Sequence, residues 1–225
     1  MLFVVLVFFV VLAIGLAVWW FSADQKARRA MKSVPLMRVD QLQPGGKVRV
    51  AGRAELIQPA YAPLTGRPCA YWRVVVRERR GGSRNRHWKT IIDEHGGADF
   101  FVHCLQSGAR ALVRPLHVHP LLVQDGRFSS GFLNDAMPHL DAFLAQRGYS
   151  SEGLLFNKTM EYREGIVEQG ELVAVMGLGH HEHDASQQAQ PGPGYRGMIE
   201  PKRVVITPPH DGPMILSDEP KLSQP

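Results

Sequence analysis

The stretch "PLTGRPCAYWRVVV", residues 63–76, begins as a turn and ends as a strand. Pro63, Gly66 and Pro68 are residues that set or free backbone angles in turns. From Trp72 onward the pattern has a period of two. Trp72, Val74 and Val76 share one face, and Arg73, Arg77 and Arg79 the other. That is the alternation of a half-buried strand. Cys69 stands where the turn becomes the strand, beside the apolar face. A free cysteine in that position reads as a small buried hydrophobe. A nucleophile needs a base, and no local signature supplies one. Cys104, at the end of "DFFVHC", reads the same way.

The same period extends in both directions. In "VRVAGRAELI", Val48, Val50, Gly52, Ala54 and Leu56 lie on one face, opposite Arg49, Arg53 and Glu55. "HWKTIIDE", "DFFVHC" and "RALV" follow at short intervals, and "ELVAVMG" and "KRVVITP" read as more deeply buried strands. One helix interrupts them: "PHLDAFLAQRG" places Leu140, Phe143 and Leu144 on a stripe, with Pro138 near its start and Gly148 at its stop. The segment 180–197, "HHEHDASQQAQPGPGYRG", is polar and rich in breakers, so a flexible loop is expected there. The expectation is a mainly β protein: a compact antiparallel domain over 41–217, with closure into a barrel left open, and one packed helix. A tail is expected over 218–225.

The chain has 225 residues, a formal net charge of +5 and only two cysteines. The basic balance suits an anionic partner. Two thiols build neither a disulfide framework nor paired cysteine zinc sites. Residues 2–21, "LFVVLVFFVVLAIGLAVWWF", are uncharged throughout. A helix of that length, at about 1.5 Å per residue, covers a hydrocarbon core of about 30 Å. Trp19 and Trp20 close it where an aromatic belt belongs. A cleaved signal peptide needs a basic leading region and small residues before the cut. Here only Met1 precedes the apolar run, and Phe21 stands where a small side chain belongs. Residues 1–22 are therefore read as a transmembrane anchor, and 23–40 as a basic juxtamembrane linker carrying Lys26, Arg28, Arg29 and Lys32. These charges imply a single-pass protein with its N-terminus outside and its domain in the cytoplasm, as in a bacterial inner membrane.

The opening stretch resembles the hallmark of the GIDE-type domain, also called BAM ("beside a membrane"), related to the membrane-adjacent domain of the mitochondrial ubiquitin ligase Mulan. Its matching positions are Pro63, Leu64, Gly66, Pro68, Cys69 and Tyr71. "FFVHCLQSGARALVRP" resembles the family's strand–turn–strand, with Gly108 after the polar turn. "EYREGIVEQGELVAVMG" resembles its later motif through Glu164, Ile166, Gly170, Glu171 and Gly177, and "PMILSD" is similar to its last strand. The resemblance implies a domain held beside a bilayer. Two departures stand out: Leu105 occupies the place of the family's usual aspartate, and two cysteines outside any C-x-x-C pair supply no RING.

Two further features carry candidate chemistry. "HHEHD" offers His180, His181 and His183 as weak metal ligands, although a loop does not hold ligands in place. His117 and His119 in "HVHP" read as an ordinary surface strand. "RERRGGSRNRHWK" crowds Arg77, Arg79, Arg80, Arg84, Arg86 and Lys89 onto a hairpin expected to turn at Gly81-Gly82-Ser83. Near anionic lipid each such residue contributes about 1 kcal/mol. No stacking platform for nucleic acid is visible, so no nucleic-acid partner is expected. No phosphate-binding Gly-rich loop, no G-x-S-x-G elbow and no dinucleotide fingerprint occurs, and no cofactor or catalytic residue is assigned. Two function classes follow. One is a membrane-anchored, non-catalytic module binding a membrane or cytoplasmic protein or an anionic lipid. The other is an enzyme, either a ubiquitin-ligase component by resemblance or a membrane-associated hydrolase.

Overall fold

The computed structural model describes residues 22–81, 85–130, 138–150, 158–184, 190–191, 198–199 and 201–224. The apolar run 2–21 and Arg84 lie outside these residues. Among the described residues no helix is long and apolar enough to cross a membrane.

Along the chain come α1 (Ala23–Ser33), β1 (Lys47–Leu56), β2 (Ala60–Tyr61), β3 (Pro68–Cys69), β4 (Tyr71–Arg80), β5 (His87–Gly97), β6 (Phe100–Cys104) and β7 (Arg110–Val113). Then follow β8 (Val118–Leu121), β9 (Gly126–Ser130), α2 (Pro138–Ala145), β10 (Met160–Val167) and β11 (Leu172–His183). The short pair β12 (Gln190–Pro191) and β13 (Met198–Ile199), β14 (Lys202–Thr207), β15 (Met214–Ser217) and α3 (Pro220–Ser223) complete the order.

The protein is mainly β, and five strands close on themselves. The ring runs β1-β6-β7-β14-β11 and returns to β1. By strand order and pairing this is a Greek-key barrel of the OB type. Closure depends on Gly52, which faces both Val173 of β11 and Cys104 of β6. A Cβ there would lie 2.0 Å from the His103 carbonyl oxygen, so only glycine lets the strand turn this corner. The expected all-antiparallel pairing holds only in part, because β14 runs parallel to β7 and β15 parallel to β8. Long connections bring these pairs together, and parallel neighbours require such crossovers.

The barrel interior is apolar: Val50, Phe100, Val102, Ala111, Val113, Val175 and Ile206 all fill it. The connection 57–99 between β1 and β6 and the connection between β7 and β11 together build a second sheet, in the order β5-β4-β10-β9. α2 packs Leu140, Phe143 and Leu144 on one face of this sheet, against Val74, Val76, Ile92 and Tyr162. The opposite face carries the odd-numbered arginines of β4.

Three expectations are corrected. The segment 23–40 is not all linker. Its first eleven residues form α1, whose start is capped by the Ser22 hydroxyl accepting from Gln25 N. Ala27 and Met31, four apart on one face, pack with Ala174, Met176, Ile215 and Leu222 on the outside of the barrel. β11 is therefore covered on both sides, which explains its unbroken apolar run. Second, the tail contains α3, with Leu222 buried in the same cluster. Third, the start of the expected 180–197 loop is strand. β11 continues to His183, pairing His180 with Val205 and His183 with Lys202. A backbone ladder needs no apolar side chains when a partner strand is supplied, and Glu182 faces Arg203 across the pair.

Candidate functional site

The first motif and Glu164 come together where β10 meets the turn between β2 and β3, whereas Gly108, Gly170 and Gly177 lie elsewhere along the barrel strands and their turns. Glu164 of β10 reaches the turn before β3. Its Oε1 accepts from Leu64 N at 2.8 Å and its Oε2 from the Thr65 hydroxyl at 2.5 Å. Gly66 has φ +68, the left-handed region a side chain disfavours, and its N–H donates to the Ala62 carbonyl. Leu64 is buried and Pro68 exposed. Cys69 follows, fully buried, with Sγ 3.6 Å from the Ala60 carbonyl. Burial, aided by the charges of Glu164 and Glu168, pushes its thiol up to about 11. Such a thiol stays protonated and is a poor nucleophile. Tyr71 is buried too, and its hydroxyl pairs with His95 Nδ1 at 2.7 Å. Gly108 and Gly170 also have positive φ at tight turns, and Gly177 lies where a Cβ would come 2.6 Å from the Thr207 carbonyl oxygen. The sequence motifs thus converge on turns and close approaches of the backbone.

Cys104 differs from Cys69. Burial raises its thiol, but hydrogen bonds from Ser107 and from the backbone amides of Val39, Ser107 and Gln106 outweigh burial and bring it below the ordinary value. The histidines of "HHEHD" are not gathered. His180 points with Glu182, 3.1 Å away, whereas His181 and His183 are exposed and alternate to the other face. Among the described residues no three His, Cys, Asp or Glu side chains are placed to hold a metal. His119 turns to Asp24 of α1 at 3.0 Å.

The basic hairpin is split. Arg79, Arg80, Arg86 and Lys89 are exposed, and Arg80 is 2.7 Å from Glu78. Arg77 instead belongs to a pocket of about 220 Å³ between α1 and the sheet face turned away from α2. Arg28, Arg73, Arg77 and Arg163 line this pocket, with Asp24 and Asp93. Arg28 binds Glu219 with Nε at 3.0 Å and Nη2 at 2.5 Å. Arg73 grips Asp93 with two bonds of 2.9 Å. Arg163 holds the buried Glu161 at 3.0 Å, and Arg127 pairs with the same carboxylate. Sequence reading missed Arg28, Arg73 and Arg163 as members of one site. The alternation within β4 was the available signal, since it sets Arg73 and Arg77 on one face. A second, more apolar groove of about 360 Å³ lies on the other flank of α1, lined by Ala27, Ala30, Met176 and Ile215.

Comparison with protein-family models, with curated proteins and with solved structures gives no match.

Proposed function

We propose that this protein is a membrane-anchored, non-catalytic module of GIDE-like type that binds an anionic partner beside the bilayer. The observation that carries this reading is the position of α1. It follows the apolar run 2–21 directly and is packed onto the barrel through Ala27, Met31 and the Arg28–Glu219 pair. A domain seated this way stays within a few residues of the segment proposed to span the membrane. Its arginine-lined pocket opens against the same helix. The OB-type barrel accords with a binding role, since such barrels present faces and loops to ligands, although fold alone does not assign one.

Fractionation tests the reading. The full chain, expressed in bacteria, is expected to stay in the membrane pellet after alkaline carbonate washing, and deletion of residues 2–21 is expected to release it. Release of the full chain by carbonate would refute the anchor. A reporter fused after Pro225 is expected to be active only as a cytoplasmic reporter, and activity of an export-dependent reporter there would reverse the orientation.

A further inference from the structure

We infer that the pocket between α1 and the outer face of the β5-β4-β10-β9 sheet binds a phosphoryl group, supplied by the headgroup of an anionic phospholipid. The inference rests on the membrane reading above for the source of the phosphate only. The chemistry of the pocket stands independently of it.

A guanidinium carries five N–H donors in a rigid fork. Three of the four lining arginines are held by carboxylates: Arg28 by Glu219 and Arg163 by Glu161, both outside the lining, and Arg73 by Asp93 within it, with Arg73 Nη1 also donating to the Pro120 carbonyl. Each clamp fixes a fork and leaves donors over. The Arg77 side chain forms no hydrogen bond among the described residues, and its Nε is buried without an acceptor. Arg163 Nε is in the same condition. Glu161 is moreover shared among Arg127, Arg163 and Arg77, so three cations here face one carboxylate. The acids at the pocket itself are engaged, Asp93 by Arg73 and Asp24 by His119.

The donors come from α1, β4 and β10, hence from different sides of the space. A tetrahedral anion with several acceptor oxygens uses such an arrangement better than a planar carboxylate does. The volume of about 220 Å³ suits a headgroup-sized phosphate ester rather than a larger ligand. The lipid source follows from chain length. Asp24 lies three residues beyond Phe21, at most about 11 Å of extended chain. If 2–21 spans the bilayer, the pocket mouth is within reach of headgroups.

The test uses the full chain in a neutral maltoside detergent, with calorimetric titration of three probes: short-chain phosphatidic acid, short-chain phosphatidylcholine and glycerol 3-phosphate. Phosphatidic acid is expected to bind at least about tenfold more tightly than phosphatidylcholine. Arg77→Gln is expected to weaken it about tenfold, as loss of a charge-assisted contact does. Arg77→Lys should keep part of the affinity, and Arg38→Gln, a half-buried position outside the pocket, should change nothing. Because the Arg77 side chain forms no hydrogen bond among the described residues, and Arg127 and Arg163 still pair with Glu161 when it is removed, its variant is expected to melt close to the parent. No preference for phosphatidic acid over phosphatidylcholine overturns the inference. So does an affinity untouched by both Arg77→Gln and Arg163→Gln. If glycerol 3-phosphate binds as tightly as the lipid with the same dependence on Arg77, the phosphoryl site stands and the lipid source is refuted. Carbonate extraction reads the anchor separately. An anchored chain with no phosphoryl affinity sinks this inference alone, and a carbonate-released chain that still binds glycerol 3-phosphate sinks the membrane reading alone.

Discussion

Replacing Glu164 by alanine should free the turn between β2 and β3 from β10. The side chain is almost fully buried and accepts two hydrogen bonds, from Leu64 N at 2.8 Å and Thr65 Oγ1 at 2.5 Å. Hydrogen bonds to a charged group contribute about 1.5–3 kcal/mol each, and removing the acceptor leaves the Leu64 N–H buried without a partner. The expected loss is about 3–5 kcal/mol. For a chain of this size each kcal/mol shifts the melting temperature by about 2–4 °C, so the full chain in detergent should melt about 10 °C lower. Glu164→Gln keeps one carbonyl oxygen for Leu64 N and should lose only about 1–2 kcal/mol. The readout is a circular-dichroism melt, paired with thiol labelling of Cys69, which should quicken in the alanine variant as the neighbouring turn opens. An alanine variant that melts within 2 °C of the parent, or a glutamine variant as damaged as alanine, would show that this carboxylate does not hold the turn.

Asp218 is raised to about 7, chiefly by burial, with Oδ2 unpartnered and Oδ1 bonded to Val123 N. Its folded value lies above its unfolded one. Between about pH 4 and 7 the folded state holds the extra proton, so stability falls as pH rises through that window. Asp218→Asn should therefore stabilise the protein at pH 8 and leave it nearly unchanged at pH 4 in thermal melts, and equal effects at both values would contradict the assignment. Iodoacetamide at neutral pH should modify Cys104 before Cys69, as read by peptide mass spectrometry. The reverse order would mean that Cys69 is neither buried nor kept protonated. Cys69→Ala should cost on the order of 1 kcal/mol. Arg49, nearly buried, donates to the Leu222 carbonyl at 2.6 Å and the Met31 carbonyl at 3.4 Å, and so ties α1 and α3 to β1. Arg49→Ala should cost about 2–4 kcal/mol and speed hydrogen exchange throughout α1, and unchanged exchange there would refute this tie.

Local patterns in the sequence carried the strands that are half exposed. The alternation in β1 and β4 and the turn at Pro63–Gly66 all correspond to what the chain does. Barrel closure was not legible, because the parallel pairing of β14 with β7 joins residues about ninety positions apart and leaves no local mark. α1 was hidden by its charges. Only Ala27 and Met31 are buried on it, and a run of arginines and lysines reads as solvated until Glu219 appears beside Arg28. The polarity of "HHEHD" concealed a strand for a similar reason: its stability comes from the ladder with β14 and from ion pairs made with distant arginines, Arg114 and Arg203. The pocket needed Arg28, Arg73, Arg77 and Arg163 together, and only the middle two are neighbours in the chain. The residues that carry the resemblance to GIDE-type domains lie at turns and close approaches of the backbone, apart from the arginines that line the pocket.

The contact of α1 with α3 has a mechanical consequence. The first and last helices of the described chain touch each other, and both grip β11 and β15 on the barrel's outer surface. A force applied at Ser22 would meet the Arg28–Glu219 pair, the Met31 seat and the Arg49 bonds before it reached any strand of the barrel. Those contacts would yield as a patch, and about ten residues of helix would then become a flexible leash. The barrel, closed by its own ladders, would keep its shape while its distance from Ser22 grew. Tension applied at that end would thus act first on one small patch and would change position before fold.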